Sequence, residues 1–257
     1  SATYLNLPTD YWVPSTARIT PMKARQYAVG VYTQLPYNIR WSVEGFYKTM
    51  DNLIEYDGNS GMLNPMADRW EEEVRTGKGK AYGMETDIRY SNGKTSVNAS
   101  YTLSWSKRFF PDFHSSWYPD KFDNRHRFSV NIGHKFNERI DVYASWNYHS
   151  GNRITIPTQQ VDAPVIPGVE KANEGMMIYE MPNNVSLPAY HRLDLGINFR
   201  KTTKRGFERI WNISLYNAYC RMNPLYATVQ QNPDGTFVGK AHGVFPIIPS
   251  FSYTLKF

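Results

Sequence analysis

Residues 95–107 of this 257-residue chain alternate without a break. Val97, Ala99, Tyr101, Leu103 and Trp105 fall on one side, and Ser96, Asn98, Ser100, Thr102 and Ser104 on the other. A period of two belongs to an extended strand, so this segment has one greasy face and one wet face. The pattern returns along the chain. Tyr82, Met84 and Ile88 oppose Glu85, Asp87 and Arg89. Ile140, Val142, Ala144, Trp146 and Tyr148 oppose Asp141, Ser145, Asn147 and His149. Leu193, Leu195, Ile197 and Phe199 oppose Arg192, Asp194, Asn198 and Arg200. The fold must therefore offer many long strands an apolar environment on one face and a polar one on the other.

Nine strands are expected, at 24–34, 38–50, 79–90, 95–107, 125–136, 139–150, 189–200, 208–219 and 244–257. Their connections alternate in length. Leu35-Pro36-Tyr37-Asn38, Ser91-Asn92-Gly93-Lys94, Asn137-Glu138 and 201–207 are tight, and Asn92-Gly93 is a strong hairpin signal because both residues tolerate positive φ. Long connections are expected at 51–78, 108–124, 151–188 and 220–243. Residues 1–23 alternate little and read as the end of an outer loop.

A soluble β-sandwich and a membrane barrel both use two-faced strands. Sandwich strands average about 5–6 residues, whereas these run to about the 9–11 that cross a bilayer at a tilt. Aromatics sit towards strand ends, at Trp41, Tyr47, Trp105, Trp146, Tyr148, Trp211 and Tyr219, as in a girdle at a lipid–water boundary. Aromatics form 15% of the chain, with 19 Tyr, and mean hydropathy is −0.57. A negative mean does not argue against a barrel, whose lumen-facing polar residues cancel the lipid-facing apolar ones. Short turns at one end and long loops at the other are the barrel arrangement. The expected fold class is all-β: an antiparallel transmembrane β-barrel portion of about nine long strands, with short periplasmic turns and long extracellular loops.

Several blocks, taken in order, carry a resemblance. Pro21-Met-Lys-Ala-Arg25-Gln26-Tyr27-Ala-Val-Gly30 enters the first strand and Gly79-Lys80-Ala81-Tyr82-Gly83-Met84-Glu85 the third. Asn98-Ala-Ser-Tyr101-Thr102-Leu103-Ser104, Phe122-Asp123-Asn124-Arg125-His126-Arg127 and Trp146-Asn-Tyr148-His-Ser-Gly151-Asn152 follow. Leu187-Pro188-Ala189-Tyr190-His191-Arg192-Leu193-Asp194-Leu195-Gly196 leads to Trp211-Asn212-Ile213-Ser214-Leu215-Tyr216-Asn217. The series resembles the C-terminal barrel half of TonB-dependent outer-membrane receptors, in a subgroup related to SusC-type nutrient transporters. The resemblance implies the last nine strands of a 22-stranded barrel with its plug and early strands absent, residues 1–23 ending an extracellular loop and 24–257 forming barrel wall. It implies import of a scarce nutrient (oligosaccharide, metal chelate, vitamin or peptide) energised by TonB through the missing plug. Implied partners are outer-membrane lipid, a surface lipoprotein that captures substrate, and the barrel-assembly machinery. The last would read the alternating end of the chain, Phe251, Tyr253, Leu255 and Phe257. The readings that compete with active import are a soluble β-sandwich binding carbohydrate and a passive outer-membrane channel.

Composition and motifs exclude other classes. The net charge of +6 (29 Lys+Arg against 23 Asp+Glu) is scattered, so no nucleic-acid surface is expected. Cys220 is alone, and the six histidines lack ligand spacing, so no metal and no cofactor are expected. Gly-x-Ser-x-Gly, His-Glu-x-x-His and phosphate-binding glycine loops are missing, so no catalytic residue and no enzyme is expected. Phe109, Phe110, Phe113, Trp117 and Tyr118 are loop candidates for stacking on a ligand or for packing the outer vestibule. Arg40, Glu44, Glu85, Asp87, Arg89, Arg127, Arg192, Asp194 and Arg200 are expected to face the lumen, where they line a passage or meet a plug. The acidic stretch in 51–78 (Asp51, Glu55, Asp57, Asp68, Glu71, Glu72 and Glu73) matches no calcium loop and reads as solvated surface.

Overall fold

The computed structural model describes residues 14–56, 70–72, 74–161, 176–204, 206–243 and 245–257. Nine long strands form one antiparallel sheet in chain order: β1 Lys23–Leu35, β2 Ile39–Tyr56, β3 Val74–Ser91, β4 Thr95–Phe109, β5 His126–Lys135, β6 Ile140–His149, β7 Tyr190–Thr202, β8 Glu208–Tyr216 and β9 Ile248–Lys256. A two-residue strand, Tyr118–Pro119, adds to β4. Each strand pairs with its neighbours in sequence, as up-and-down connections require. Among the described residues β1 and β9 have one long partner each, so the sheet is an open strip of wall.

Register carries one side of the strip across all its strands. Thr33, Trp41, Ile88, Ala99, Val130, Trp146 and Leu193 form one row of successive partners. Val97, Ile132, Ala144, Leu195 and Leu215 form another. This apolar side is open: Val29 is 80% exposed, Ile213 48% and Phe251 69%. Among the described residues no second sheet packs over it, which removes the sandwich reading, because a sandwich buries that face. Lipid is what such a face meets. Aromatic rings mark its loop-side border. Tyr47 stacks on Tyr82 at 6.3 Å and Tyr82 on Trp105 at 5.5 Å. Tyr101 and Phe128 stack at 4.4 Å, and Tyr148 and His191 at 6.4 Å. Nearer the turn end of the same side, Trp211 and Tyr253 pair on β8 and β9 at 5.6 Å.

Three expectations are corrected. The connection 51–78 is shorter, because β2 runs to Tyr56 and β3 starts at Val74. A bulge between Met50 and Leu53, with Asn52 at φ 57°, breaks the alternation there and hides the continuation. The connection 220–243 contains a hairpin, Pro224–Gln231 with Phe237–Gly243, turned by Asp234-Gly235 with Gly235 at φ 85°. The last strand begins at Ile248 rather than at 244. The connection 151–188 is tied by two short pairings, Arg153–Ile154 with Val185–Ser186 and Gln159–Val161 with Met176–Ile178. Residues 1–13, Asp57, Asp68, Glu73, 162–175 and 244 lie outside the described residues.

Candidate functional site

The polar side of the strip is ordered by the same register. Gln34, Arg40, Arg89, Asn98, Asn131, Ser145 and Asp194 form one row. Tyr32, Ser42, Asp87, Ser100, Ser129, Asn147 and Arg192 form the next towards the loops. Gly30, Glu44, Glu85, Thr102, Arg127, His149 and Tyr190 form the third. The seven charges Arg40, Glu44, Glu85, Asp87, Arg89, Arg192 and Asp194 thus sit within three adjacent rows. A period of two on nine strands brings them there, although they are spread over more than half of the sequence.

The two ends of these rows differ. On β5–β8 the polar groups satisfy one another. Ser129 donates to Asn147 at 3.1 Å, Ser145 to Asn131 at 2.8 Å and Asn212 to Asn198 at 2.8 Å. Asp141 accepts from Asn198 at 2.8 Å and pairs with Arg200 at 3.0 Å. Arg192 pairs with Asp194 at 2.8 Å, donates to Tyr190 and Tyr216 at 2.9 Å, and lies 4.2 Å from the Tyr216 ring centre. Tyr143 lies across Gly196, where a Cβ would collide with its ring, so the glycine makes this packing possible.

On β2–β3 like charges are direct partners: Arg40 opposite Arg89, and Glu44 opposite Glu85. Directly opposed like charges destabilise a sheet. Arg89 is relieved by Asp87 at 2.6 Å and Glu44 by the Tyr32 hydroxyl at 2.7 Å. Arg40 and Glu85 have no such partner among the described residues.

At the loop end a cavity of about 500 Å³ opens on the polar side, lined by Thr102, Phe122, Asn124, Arg127, His149 and Asn152 among others. Asn124 organises its rim, donating to the Ser150 carbonyl at 2.7 Å and to Asn152 at 2.8 Å while accepting from Arg127 at 2.8 Å. Sequence reasoning missed this asparagine, because two of its three partners, Ser150 and Asn152, lie in the next long connection.

The loop aromatics separate into two groups. Phe110 is 0% exposed and Tyr118 2%, and Phe113 stacks on Phe110 at 5.6 Å. These residues pack the connection after β4. Burial pushes the Tyr118 phenol up, helped by the negative charge of Glu55. Phe110 and Tyr118 therefore offer no face to a ligand. Trp117 is 38% exposed, pairs with Phe109 at 5.7 Å, and carries the Lys80 ammonium 4.2 Å from its ring centre. At the other end of the chain Phe251, Tyr253, Leu255 and Phe257 are exposed, and the first three lie on the apolar side of β9.

The sequence matches the family described as "TonB dependent receptor-like, beta-barrel" over residues 2–219. No curated protein matches the chain. Among solved structures, the ferripyoverdine receptor of the outer membrane of Pseudomonas aeruginosa is similar at a TM-score of 0.55 and 14% identity, over 98% of this chain and 29% of that one. The ferric-catecholate import receptor Fiu of E. coli K12 is similar at 0.52 and 12%, over 97% and 30%. The E. coli outer-membrane transporter YddB is similar at 0.54 and 10%, over 95% and 33%. The chain thus spans about a third or less of the length of these proteins.

Proposed function

The chain belongs to the TonB-dependent receptor β-barrel family, and on that premise we propose that residues 24–257 are the C-terminal wall of a TonB-energised importer. Members of this family are transporters rather than enzymes, they work with TonB, and the chain is an outer-membrane protein. In the proposed protein, further strands complete the barrel, since an open sheet edge is not viable in lipid. A plug fills the lumen, and residues 1–23 finish an external loop. The cargo is a scarce solute, such as a metal chelate, an oligosaccharide, a vitamin or a peptide. Capture falls to the loops, with Trp117 and the cavity around Asn124 and Arg127 as the groups available to it. A surface lipoprotein that hands over cargo fits the same external face. The apolar side of β9, with Phe251, Tyr253 and Leu255, and with Phe257 beyond it, is the surface offered to the barrel-assembly machinery.

The observation that carries this reading is the division of the polar face. A wall that only lined water would gain from pairing its charges everywhere. This one satisfies β5–β8 internally and, among the described residues, leaves Arg40 and Glu85 unpaired beside like charges, which suits contact with a plug carrying the complementary groups.

The test uses the full-length protein in cells with and without TonB. Uptake of panels of labelled ferric chelates and labelled oligosaccharides is compared with surface binding. Active import predicts a cargo whose binding survives loss of TonB while its uptake stops; uptake that persists without TonB favours the passive channel. Arg40→Gln with Glu85→Gln is predicted to loosen the plug and sensitise cells to a large hydrophilic antibiotic. Unchanged sensitivity would reject the plug contact.

A further inference from the structure

Below the loop-end cavity the polar face holds a strip without charge. Asn98 and Ser100 on β4, Ser129 and Asn131 on β5, and Ser145 and Asn147 on β6 occupy two adjacent rows. Asp87 and Arg89 border them on β3, and Arg192 and Asp194 on β7. Four of the six residues close a ring of hydrogen bonds. Ser129 donates to Asn147 at 3.1 Å, Asn147 to Ser145 at 3.2 Å, Ser145 to Asn131 at 2.8 Å and Asn131 to Ser129 at 3.3 Å. Each hydroxyl in the ring donates once and accepts once, and each amide spends one of its two N–H donors. The cavity reaches this strip, since Ser100, Ser129 and Asn147 belong to its lining. Towards the turns, Ser96 and Gly133 continue the strip, and Tyr143 of the same row leans away over Gly196.

Three strands and three rows make this strip roughly 10 Å wide and 14 Å long. The two parts of the wall respond differently to a plug that moves. On β2–β3, Arg40 and Glu85 face like charges and have no ion-pair partner among the described residues. Complementary plug groups would be stranded by parting from them, which is costly. On β4–β6 the ring satisfies its own donors and acceptors, so a neutral contact given up there is replaced by water at little cost. Passage also requires contacts that form and release readily. Resting on the importer reading above, we propose that the plug stays docked on β2–β3 and parts from β4–β6, so that cargo leaves the cavity along the neutral strip.

The test places single cysteines in the full-length protein, in a Cys220→Ser background, in energised cells with and without TonB. An external, membrane-impermeant maleimide is the probe. Asn98→Cys and Ser100→Cys lie in the strip but outside the ring. Gln34→Cys and Ser42→Cys lie in the same two rows on β1 and β2, so depth in the lumen is matched. TonB is predicted to raise labelling of the first pair several-fold and to leave the second pair unchanged. An equal rise at both pairs, or a rise at Gln34→Cys and Ser42→Cys alone, would overturn the proposal. So would the absence of any rise in cells whose uptake depends on TonB. Crowding gives a second reading, on whichever labelled chelate or oligosaccharide the cells import. Asn98→Trp should slow its uptake several-fold at unchanged surface binding, and Gln34→Trp should not; equal slowing by both would overturn the route. Uptake that does not depend on TonB would instead reject the importer reading, and the route with it, so the two failures are told apart.

Discussion

The turn end and the loop end of the wall both depend on asparagine and use it in opposite ways. At the turns the side chain bonds to its own neighbours. Asn92 accepts from the amides of Lys94 at 3.1 Å and Thr95 at 2.7 Å, and Asn137 from those of Arg139 at 2.8 Å and Ile140 at 3.0 Å. These are local turn-forming contacts that any chain with that sequence can make. At the loop end the same side chain joins segments far apart. Asn183 donates to the Pro119 carbonyl, 64 residues away, at 2.9 Å. Asn223 donates to the His191 carbonyl at 2.8 Å and accepts from its amide at 3.0 Å. Asn217, 1% exposed, donates to the carbonyls of Arg221 at 2.9 Å and Phe245 at 3.0 Å. Turns are thus closed by chemistry within a few residues, and loops by chemistry that exists only once the strands are in register.

Substitution can break this comparison. The largest effect is expected at Asn217. Alanine there strands two carbonyls in a buried place and must adopt φ 54°, a left-handed conformation that favours asparagine. Loss of the buried bonds and the backbone penalty together predict about 3 kcal/mol of destabilisation, measured by urea unfolding of the folded protein in detergent. A loss as small as at the turns would show that the loop end is not clamped. Asn183→Ala carries the same backbone penalty at φ 55° but should cost less, about 2 kcal/mol, because its side chain donates to one carbonyl rather than two and is less buried, and Arg153 still donates to the residue 183 carbonyl. Its signature is faster proteolysis within 151–161 and 179–188 while the wall stays protected. Gly93→Ala should cost least, about 1 kcal/mol. Its φ of 84° is strained for alanine, yet a Cβ there meets nothing within 4 Å. A larger loss at Gly93 than at Asn217 would invert the comparison.

The same contrast explains what the sequence made legible. Nine strands and their order were readable because lipid on one side and water on the other impose a period of two, and because Asn92-Gly93 announces its turn. The shared face follows from that period, so Glu85, Asp87 and Arg89 could be put on the same side as Arg40 and Glu44, but which of them oppose one another needed the register. The long ends of β2 and β3 were not readable, since the bulge at Asn52 shifts the pattern by one face. The hairpin 224–243 was missed although Asp234-Gly235 signals a turn, because its strands alternate weakly. Burial of Phe110 and Tyr118 was also out of reach. Five aromatics in ten residues look alike in sequence, and only the fold of the connection over β4 divides them into packed and exposed.

The central claim is that one side of this wall faces lipid and the other lines the passage. It is tested most directly by single cysteines in a Cys220→Ser background, placed in the full-length protein in its membrane and challenged with a membrane-impermeant maleimide. The account predicts that Asn98→Cys, Asn147→Cys and Asn198→Cys react once the lumen is accessible, whereas Val97→Cys, Leu195→Cys and Ile197→Cys react only after detergent extraction. Labelling of the second group in intact membranes, with protection of the first, would contradict it.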